Sequence, residues 1–243
     1  MASKPISAVP GGVLLAGALA LLLQLGWHYS QPGPGARADA LTAPPPLVLL
    51  QLASLGDPLA LARLTMLSLQ ADDDQPGIGL NLRQLDYDRL AGWLERVEAL
   101  DPRSQYPLLA ASTVYSAVDD PVRQRRMLDL VYRAFSADPN QRWPWLAQAA
   151  LIARHRLHDL PLARSYARAI RLQATGPGVP AWARELEVFM AEDMNELDSA
   201  RTLIGALIAS GQITDPHELR FLAGRLDQLA ARQAAAHHAR AGP

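Results

Sequence analysis

The chain repeats a pattern of residues at a spacing of 37, and this repeat limits the possible folds more than any other sequence feature. The stretch LDPRSQYPLLAAS at 100–112 aligns without a gap with ADPNQRWPWLAQA at 137–149. The same offset relates further pairs, which are Trp145 and Trp182, Ala163 and Ala200, and Arg164 and Arg201. A period of this length accommodates two helices, so it predicts a stack of helical hairpins.

Helix-forming residues dominate the chain from Leu47 onward, and patterns typical of strands are scarce. Asp precedes Pro at several breaks, for example at 120–121 and 138–139. At such a break Asp can cap free amide groups, and Pro suits the first helical turn. We therefore predict an all-α body. Its helices are expected near 47–54, 57–71, 86–100, 104–117, 121–136, 143–157, 160–174, 180–193, 196–210 and 216–233, followed by a disordered tail at 234–243.

Bulky residues open the first helix of each repeat unit, and small residues line the second. The bulky residues are Tyr106, Trp143, Trp145 and Trp182, and the small ones include Ala163 and Ala200. In this pattern the chain resembles the tetratricopeptide-repeat (TPR) superfamily, although its period exceeds the usual length of about 34 residues. The resemblance covers 85–211. It implies a TPR-like α-solenoid over 85–233, with 47–84 as a degenerate first hairpin and its loop.

An uncharged segment of 22 residues runs from Ile6 to Trp27. As a helix it would be about 33 Å long, enough to cross a bilayer core of roughly 30 Å. The segment therefore predicts a transmembrane anchor at 6–27. The alternative is a cleaved secretory signal, because 36–38 and 38–40 both have the Ala-x-Ala form of a cleavage site. These sites lie more than ten residues beyond the apolar run, which favours the uncleaved anchor.

The charges that flank this segment favour a cytoplasmic N-terminus. Lys4 precedes the segment, whereas Arg37 and Asp39 follow it and cancel. We expect 1–5 to be a cytoplasmic stub and the Pro-, Gly- and Ala-rich stretch 28–46 to be an extended linker. The preference for Ala, Leu, Arg and Pro over Lys is typical of a GC-rich bacterial genome. We therefore expect an inner-membrane protein whose body lies in the periplasm.

The composition excludes several kinds of chemistry. The chain has no cysteine, which rules out disulfides, thiolate nucleophiles and cysteine-ligated metals. A formal net charge of −1 gives no reason to expect nucleic acid as a partner. No nucleotide-binding, serine-hydrolase or kinase motif is present. We expect neither an enzyme nor a bound cofactor or metal.

Three features of the sequence allow a chemical as well as a structural interpretation. His155 and His158 are three residues apart and are predicted to share a helix face, but two ligands do not complete a metal site. We favour a helix C-terminus, where histidine meets the dipole favourably. We also favour packing over a ligand cage for the tryptophans. The acidic run 72–74 lacks the spacing of a calcium loop and is predicted to be a solvated turn.

Arginine side chains form the best candidate binding surface. Two successive second helices carry them: Arg123 and Arg126 on one, and Arg164, Arg168 and Arg171 on the next. Such a ridge could bind acidic segments through bidentate contacts. The simpler interpretation is a solvated face with ion pairs to nearby acids.

Together these features suggest a membrane-anchored scaffold or assembly factor for a cell-envelope complex, which binds other envelope proteins. Tyr106, Tyr115, Trp145 and Trp182 would shape its groove. Two alternatives stay open. One is a structural subunit of a larger membrane complex. The other is an accessory enzyme or cofactor-binding protein whose site is not visible in the sequence.

Overall fold

A computed structural model describes residues 11–30, 41–73, 82, 85–211 and 213–241. Several predictions fall outside these ranges: the stub at 1–5, the start of the anchor at 6–10, and the part of the linker at 31–40 that holds both Ala-x-Ala sites. The last acidic residue of 72–74 and most of the loop that follows it also lie outside. Within the described ranges all regular structure is helical and there is no strand, which confirms the all-α prediction.

Eleven helices are present in the described part of the chain. They are α1 (Gly11–Ser30), α2 (Leu47–Ala53), α3 (Pro58–Asp73), α4 (Tyr87–Leu100), α5 (Tyr106–Leu109), α6 (Pro121–Ala137), α7 (Pro139–His155), α8 (Leu160–Gln173), α9 (Ala181–Asp193), α10 (Leu197–Ala209) and α11 (Pro216–Ala241).

Aspartates that precede a proline start four of these helices. Each carboxylate accepts a hydrogen bond from a backbone N–H in the first turn, which satisfies a donor that the helix leaves free. The capping residues are Asp57 for α3, Asp120 for α6, Asp138 for α7 and Asp215 for α11. The pair Asp101-Pro102 behaves differently, because it forms the turn after α4.

The helix predicted at 104–117 is not regular. Its α-helical part ends at Leu109 and is followed by a π turn at Ala110–Val114 and a 3-10 turn at Tyr115–Ala117. The hydroxyls of Ser112 and Thr113 donate to the carbonyl of Leu109 at 3.3 and 2.6 Å. Such side-chain bonds compete with the backbone pattern of a regular helix.

Two further predictions are corrected at helix ends. The helix predicted at 143–157 starts earlier, at Pro139, because Asp138 caps it, and it ends at His155. His158 lies in the following turn with a φ of 51°, so the two histidines do not share a helix face. The helix predicted at 216–233 extends further, to Ala241, in a stretch rich in alanine, which has the highest helix propensity.

The helices of the body pack against their neighbours in chain order from α6 to α11, and α4 packs against both α3 and α6. One buried apolar cluster extends along the chain from Leu50 to Met190, and a second extends from Val188 to Leu229. Fully buried alanines on α7 and α8, among them Ala153 and Ala167, allow these two helices to approach closely.

The helix α1 has exposed apolar side chains on all sides. Among the described residues no single helix is both long and apolar enough to cross a membrane, and the apolar part of α1, Gly11–Trp27, is shorter than such a span. The helices α2 and α3 meet the length and composition of a span only when taken together, and they are bent by 108° at the break between them.

Candidate functional site

Four aromatic side chains on α5, α7 and α9 are partly exposed, and we call them together the aromatic surface: Tyr106, Trp143, Trp145 and Trp182. The rings of Trp143 and Trp182 meet edge to face, with centroids 5.2 Å apart. Tyr106 is 40% exposed and Trp182 is 49% exposed. The repeat alignment makes Trp145 the equivalent of Trp182. The residue of α7 that contacts Trp182 is Trp143.

Polar groups fix the orientation of two of these aromatics. The indole Nε1 of Trp145 donates to Oε1 of Gln105 at 2.6 Å. The side-chain amide of Gln70 donates to the hydroxyl of Tyr106, which joins α3 to the start of α5. These two hydrogen bonds connect the aromatic surface to Gln105, just before α5, and to α3.

Three other residues named from the sequence lie in the interior. Ala163 on α8 and Ala200 on α10 are fully buried, in the first and the second apolar cluster respectively. Tyr115 is also buried, and its carbonyl accepts a hydrogen bond from the Tyr87 hydroxyl at 2.9 Å. Tyr115 thus packs in the core and does not line a groove.

The arginine ridge on α8 is partly occupied by contacts within the chain. Arg171 Nε lies 2.7 Å from Oε2 of Glu187, and Arg164 pairs with Glu187 and with Glu196 at 3.9 and 2.5 Å. Arg168 lies on the exposed face of α8 and forms no ion pair with any residue that the structure describes. Of the three, Arg168 is the one whose guanidinium faces solvent.

The arginines on α6 also contact other parts of the chain. Arg123 Nε lies 3.4 Å from Asp120 Oδ2, and its guanidinium lies over the Tyr87 ring, 5.5 Å from the centroid. Arg126 donates to Oδ1 of Asp88 on α4 at 2.6 Å. The contacts with Tyr87 and Asp88 connect α6 to α4.

Ion pairs between helices recur at a separation close to the sequence period. Arg126 and Asp88 are 38 residues apart, Arg154 and Asp193 are 39 apart, and Arg225 and Glu192 are 33 apart. A hydrogen bond from Gly176 N–H to Asn140 Oδ1 spans 36 residues. Each contact joins an element to its counterpart about one repeat away.

Two buried arginines were not predicted from the sequence. Arg142 donates to the carbonyls of Ala134 and Pro102 at 2.8 and 3.1 Å and pairs with Glu98. Arg184 donates to the carbonyl of Gly176 at 3.2 Å. Each is the fourth residue of its helix and reaches a carbonyl eight residues earlier. An arginine at the same position in α7 and α9 was the sequence signal from which these two residues could have been identified.

The helix α9 carries three buried glutamates with different surroundings. Glu187 is paired with Arg171 and Arg164, and Glu192 accepts from Arg225 Nε at 2.9 Å. The Oε1 atom of Glu185 is buried and has no hydrogen-bond partner among the described residues. Burial raises the pKa of Glu185, and the negative charge of Glu218 on α11 raises it further.

The sites suggested by acidic and histidine residues are dispersed. Asp159 caps α8, and its pKa is lowered by the N–H of Leu162 first and by Arg125 second. His155 and His158 are both exposed. In the described part of the chain, no three side chains of His, Cys, Asp or Glu are grouped so that they could bind a metal ion.

A groove of about 670 Å³ lies between α3, α4 and the start of α5. Its walls are mainly apolar and include Leu59, Met66 and Val97, while Arg63 and Asp101 supply charge. A groove of this composition suits an apolar ligand or side chain better than a polar substrate.

No protein-family model matches the chain, and no curated protein or solved structure matches it. The resemblance to TPR proteins therefore depends on the repeated residues and on the contacts described above. The class that the structure defines directly is an all-α protein with a packed helical body and a separate apolar helix at its N-terminal side.

Proposed function

We propose that this protein is a membrane-anchored, TPR-like interaction scaffold, and that it assembles or organises a complex of the cell envelope. In this proposal α1 belongs to the anchor, α3 to α11 form the stack of hairpins, and the aromatic surface binds the partner. The observation that carries the proposal is the row of partly exposed aromatics on successive first helices.

The regular spacing of contacts supports the stacked arrangement. In a solenoid each unit contacts only its neighbours, so hydrogen bonds between units join residues about one period apart. The bonds of Arg126, Arg154 and Gly176 span 36 to 39 residues, close to the sequence period. Packing of successive helices in chain order is what the same arrangement requires.

The surface of α1 supports the anchor. Leu15 and Leu23 are 75% and 67% exposed, so the helix has apolar side chains with no protein against them. A helix that is apolar all round needs an apolar surrounding. With residues 6–10 added, the uncharged segment reaches the length that a bilayer requires.

The aromatic surface supports protein binding. Tyr and Trp are the residues most enriched at the energetic centres of interfaces, because they bury a large area at a small cost in side-chain entropy. A structural subunit of a permanent complex would use the same surface, and it differs by purifying with its partner in fixed stoichiometry.

The first experiment tests binding by photo-crosslinking in intact cells. A benzoylphenylalanine residue replaces Trp182 in one variant and Tyr106 in a second. The control variant carries the probe at Leu172, a residue of α8 that is 55% exposed but lies outside the aromatic surface. We expect the same envelope protein to be captured from both aromatic positions and not from Leu172.

Two outcomes would contradict the scaffold. One is capture of nothing from the aromatic positions in a folded, membrane-bound protein. The other is an equal set of products from Leu172.

The anchor and its orientation are tested separately. Because the chain has no cysteine, single cysteines can be labelled without background. A membrane-impermeant maleimide should label Leu172→Cys in intact spheroplasts, whereas Ser3→Cys should react only after lysis. The reverse labelling pattern would show the opposite orientation. Recovery of the protein in the soluble fraction would contradict the proposed anchor.

A further inference from the structure

The outward surface of α2 and α3 is apolar and uncovered. We call it the outer face, and it consists of Val48, Leu49, Leu52, Leu55 and Leu64, of which Leu52 is 69% exposed. Buried side chains on the opposite side of α3, such as Ala62 and Met66, pack in the core of the body. The outer face is therefore additional to the apolar side that folding already uses.

The composition around the outer face is that of a membrane segment. Between 41 and 70 the only charged residues are Asp57 and Arg63, which cancel. Together α2 and α3 have the length and apolar character of a span, but the 108° bend prevents the pair from crossing a bilayer as one straight helix. A bent apolar pair with one side packed on protein is suited to lie along an interface.

Residues 41–46, which we call the strap, hold α2 in place on the body. Three side chains of α4 donate to strap carbonyls: Arg89 to Leu41 at 2.8 Å, Trp93 to Thr42 at 2.7 Å and Arg96 to Pro45 at 3.1 Å. Pro44 packs closely on Gly92. A Cβ atom at position 92 would lie only 2.8 Å from the Cγ atom of Pro44, so the contact requires glycine.

The chain also limits how far the outer face can lie from α1. Ten residues, 31–40, separate the end of α1 from the strap. Even fully extended, they span at most about 40 Å. If α1 is in the bilayer, the start of the strap stays within that distance of the membrane, and α2 follows directly after the strap.

We propose that the outer face docks on the lipid bilayer, with its leucines in the region between head groups and acyl chains. This inference rests on the proposed anchor at α1. Docking of α1 itself on the outer face is a poorer solution, because α1 is apolar all round and would keep its remaining sides exposed. The balanced charges, Asp57 and Arg63, indicate that apolar burial drives the contact, so binding is insensitive to salt.

The test uses the full-length chain in phosphatidylcholine vesicles, with an environment-sensitive fluorophore on single cysteines. Leu52→Cys and Leu64→Cys report on the outer face, and Leu21→Cys reports on α1. Leu172→Cys is the matched control, since it is an exposed leucine on α8. Quenching by lipids that carry a nitroxide on the acyl chain then measures the depth of each label.

We expect quenching at Leu52 and Leu64 to exceed that at Leu172 by about twofold or more, strongest with the nitroxide near the head group, as at a depth of about 5–10 Å. Val48→Gln combined with Leu49→Gln should lower the quenching at Leu52, because these exposed residues lie one helical turn before it on α2. Added salt should leave it unchanged.

The outcomes separate this inference from the anchor. Quenching at Leu21 without quenching at Leu52 overturns docking and retains the anchor. Quenching at Leu52 without quenching at Leu21 supports docking and overturns the anchor, and no quenching at either position overturns both. A second copy of the chain is the other possible occupant. If nitroxides attached to Leu52→Cys broaden each other's spectra between two copies, and lipid nitroxides do not quench the fluorophore at this position, the outer face binds a second copy and the inference fails.

Discussion

The first and last helices of the body present different surfaces to their surroundings. The helices α2 and α3 and the turn between them expose seven large apolar side chains, whereas in the described part of α11 only Phe221 is of this kind. The other exposed residues of α11 include His217, Arg220, Asp227 and Gln228. One end of the body thus has a polar outer surface and the other has an apolar one.

This difference bears on how a stack of helices can terminate. A terminal unit needs a polar outer surface to stay in water, because the next unit that would cover it is missing. The helix α11 meets this requirement, and α2 and α3 do not. We conclude that α11 is built to face water and that the outer face of α2 and α3 is built to be covered.

The largest loss of stability is expected from a substitution in the interior of the body, between its two ends. Arg142→Met removes a guanidinium that is 4% exposed and leaves two carbonyls and Glu98 without their donor. We expect the free energy of unfolding to fall by about 3 kcal/mol, measured by urea titration. Arg133→Met breaks an exposed pair with Glu95 and should cost less than about 1 kcal/mol. Equal effects would show that burial of Arg142 is energetically unimportant.

The second substitution compares a close helix contact with the solvent face of α11. Ala163→Leu inserts a larger side chain at a fully buried position, and overpacking should cost about 2 kcal/mol. Ala230→Leu makes the same change at an exposed position of α11 and should have almost no effect. Thermal unfolding followed by circular dichroism distinguishes them, and a neutral Ala163→Leu would indicate loose packing of α8.

A third substitution tests the contact of α9 with the C-terminal end. The pKa of Glu185 is raised in the folded chain, so the unfolded chain loses this proton at a lower pH. Stability should therefore increase as the pH falls through the raised pKa, where the buried carboxyl becomes neutral. Glu185→Gln should stabilise the protein by about 1 kcal/mol at neutral pH and by nothing in acid.

Urea titrations of Glu185→Gln at several pH values check this prediction. Glu218→Gln is the control and should give a smaller gain in the same direction, since Glu218 is the second cause of the raised pKa. A loss of stability in Glu185→Gln at neutral pH would mean that the carboxylate has a partner.

The smallest effect is expected at the outer face. Leu52→Gln and Leu64→Gln change exposed side chains, so in mild detergent each should alter the free energy of unfolding by less than about 0.5 kcal/mol. Phe221→Gln on α11 should behave alike. A loss of about 2 kcal/mol or more in the leucine variants would place them in the core and remove the contrast between the two ends.

Local signals predicted much of the fold. The all-α class and the starts of α6 and α11 follow from aspartate caps and prolines, which act within one turn. The irregular end of α5 could not be predicted from the repeat, because it depends on hydroxyls that bond to the Leu109 carbonyl. The helix α7 was predicted to start at 143, where the tryptophans begin, but it starts at Pro139, because Asp138 caps it.

The candidate site was predicted less completely. The aromatics were identified because they recur at one offset, but their partners depend on how α7 and α9 are rotated against each other. Arg142 and Arg184 were missed, since arginine is rarely buried and the carbonyls that compensate it lie eight residues earlier, in the last turn of α6 and in the loop after α8. The ridge on α8 proved to be divided, with Arg171 paired and Arg168 free to meet solvent.

The strap has a mechanical consequence. A pull on the chain from the N-terminal side reaches the strap before it reaches α2. Through Arg89, Trp93 and Arg96 the strap passes that tension directly to α4. The force therefore passes from the strap to α4 and not through α2 and α3, although these two helices follow the strap directly in the sequence. A force applied on the N-terminal side would therefore reach α4 without first unwinding α2 and α3.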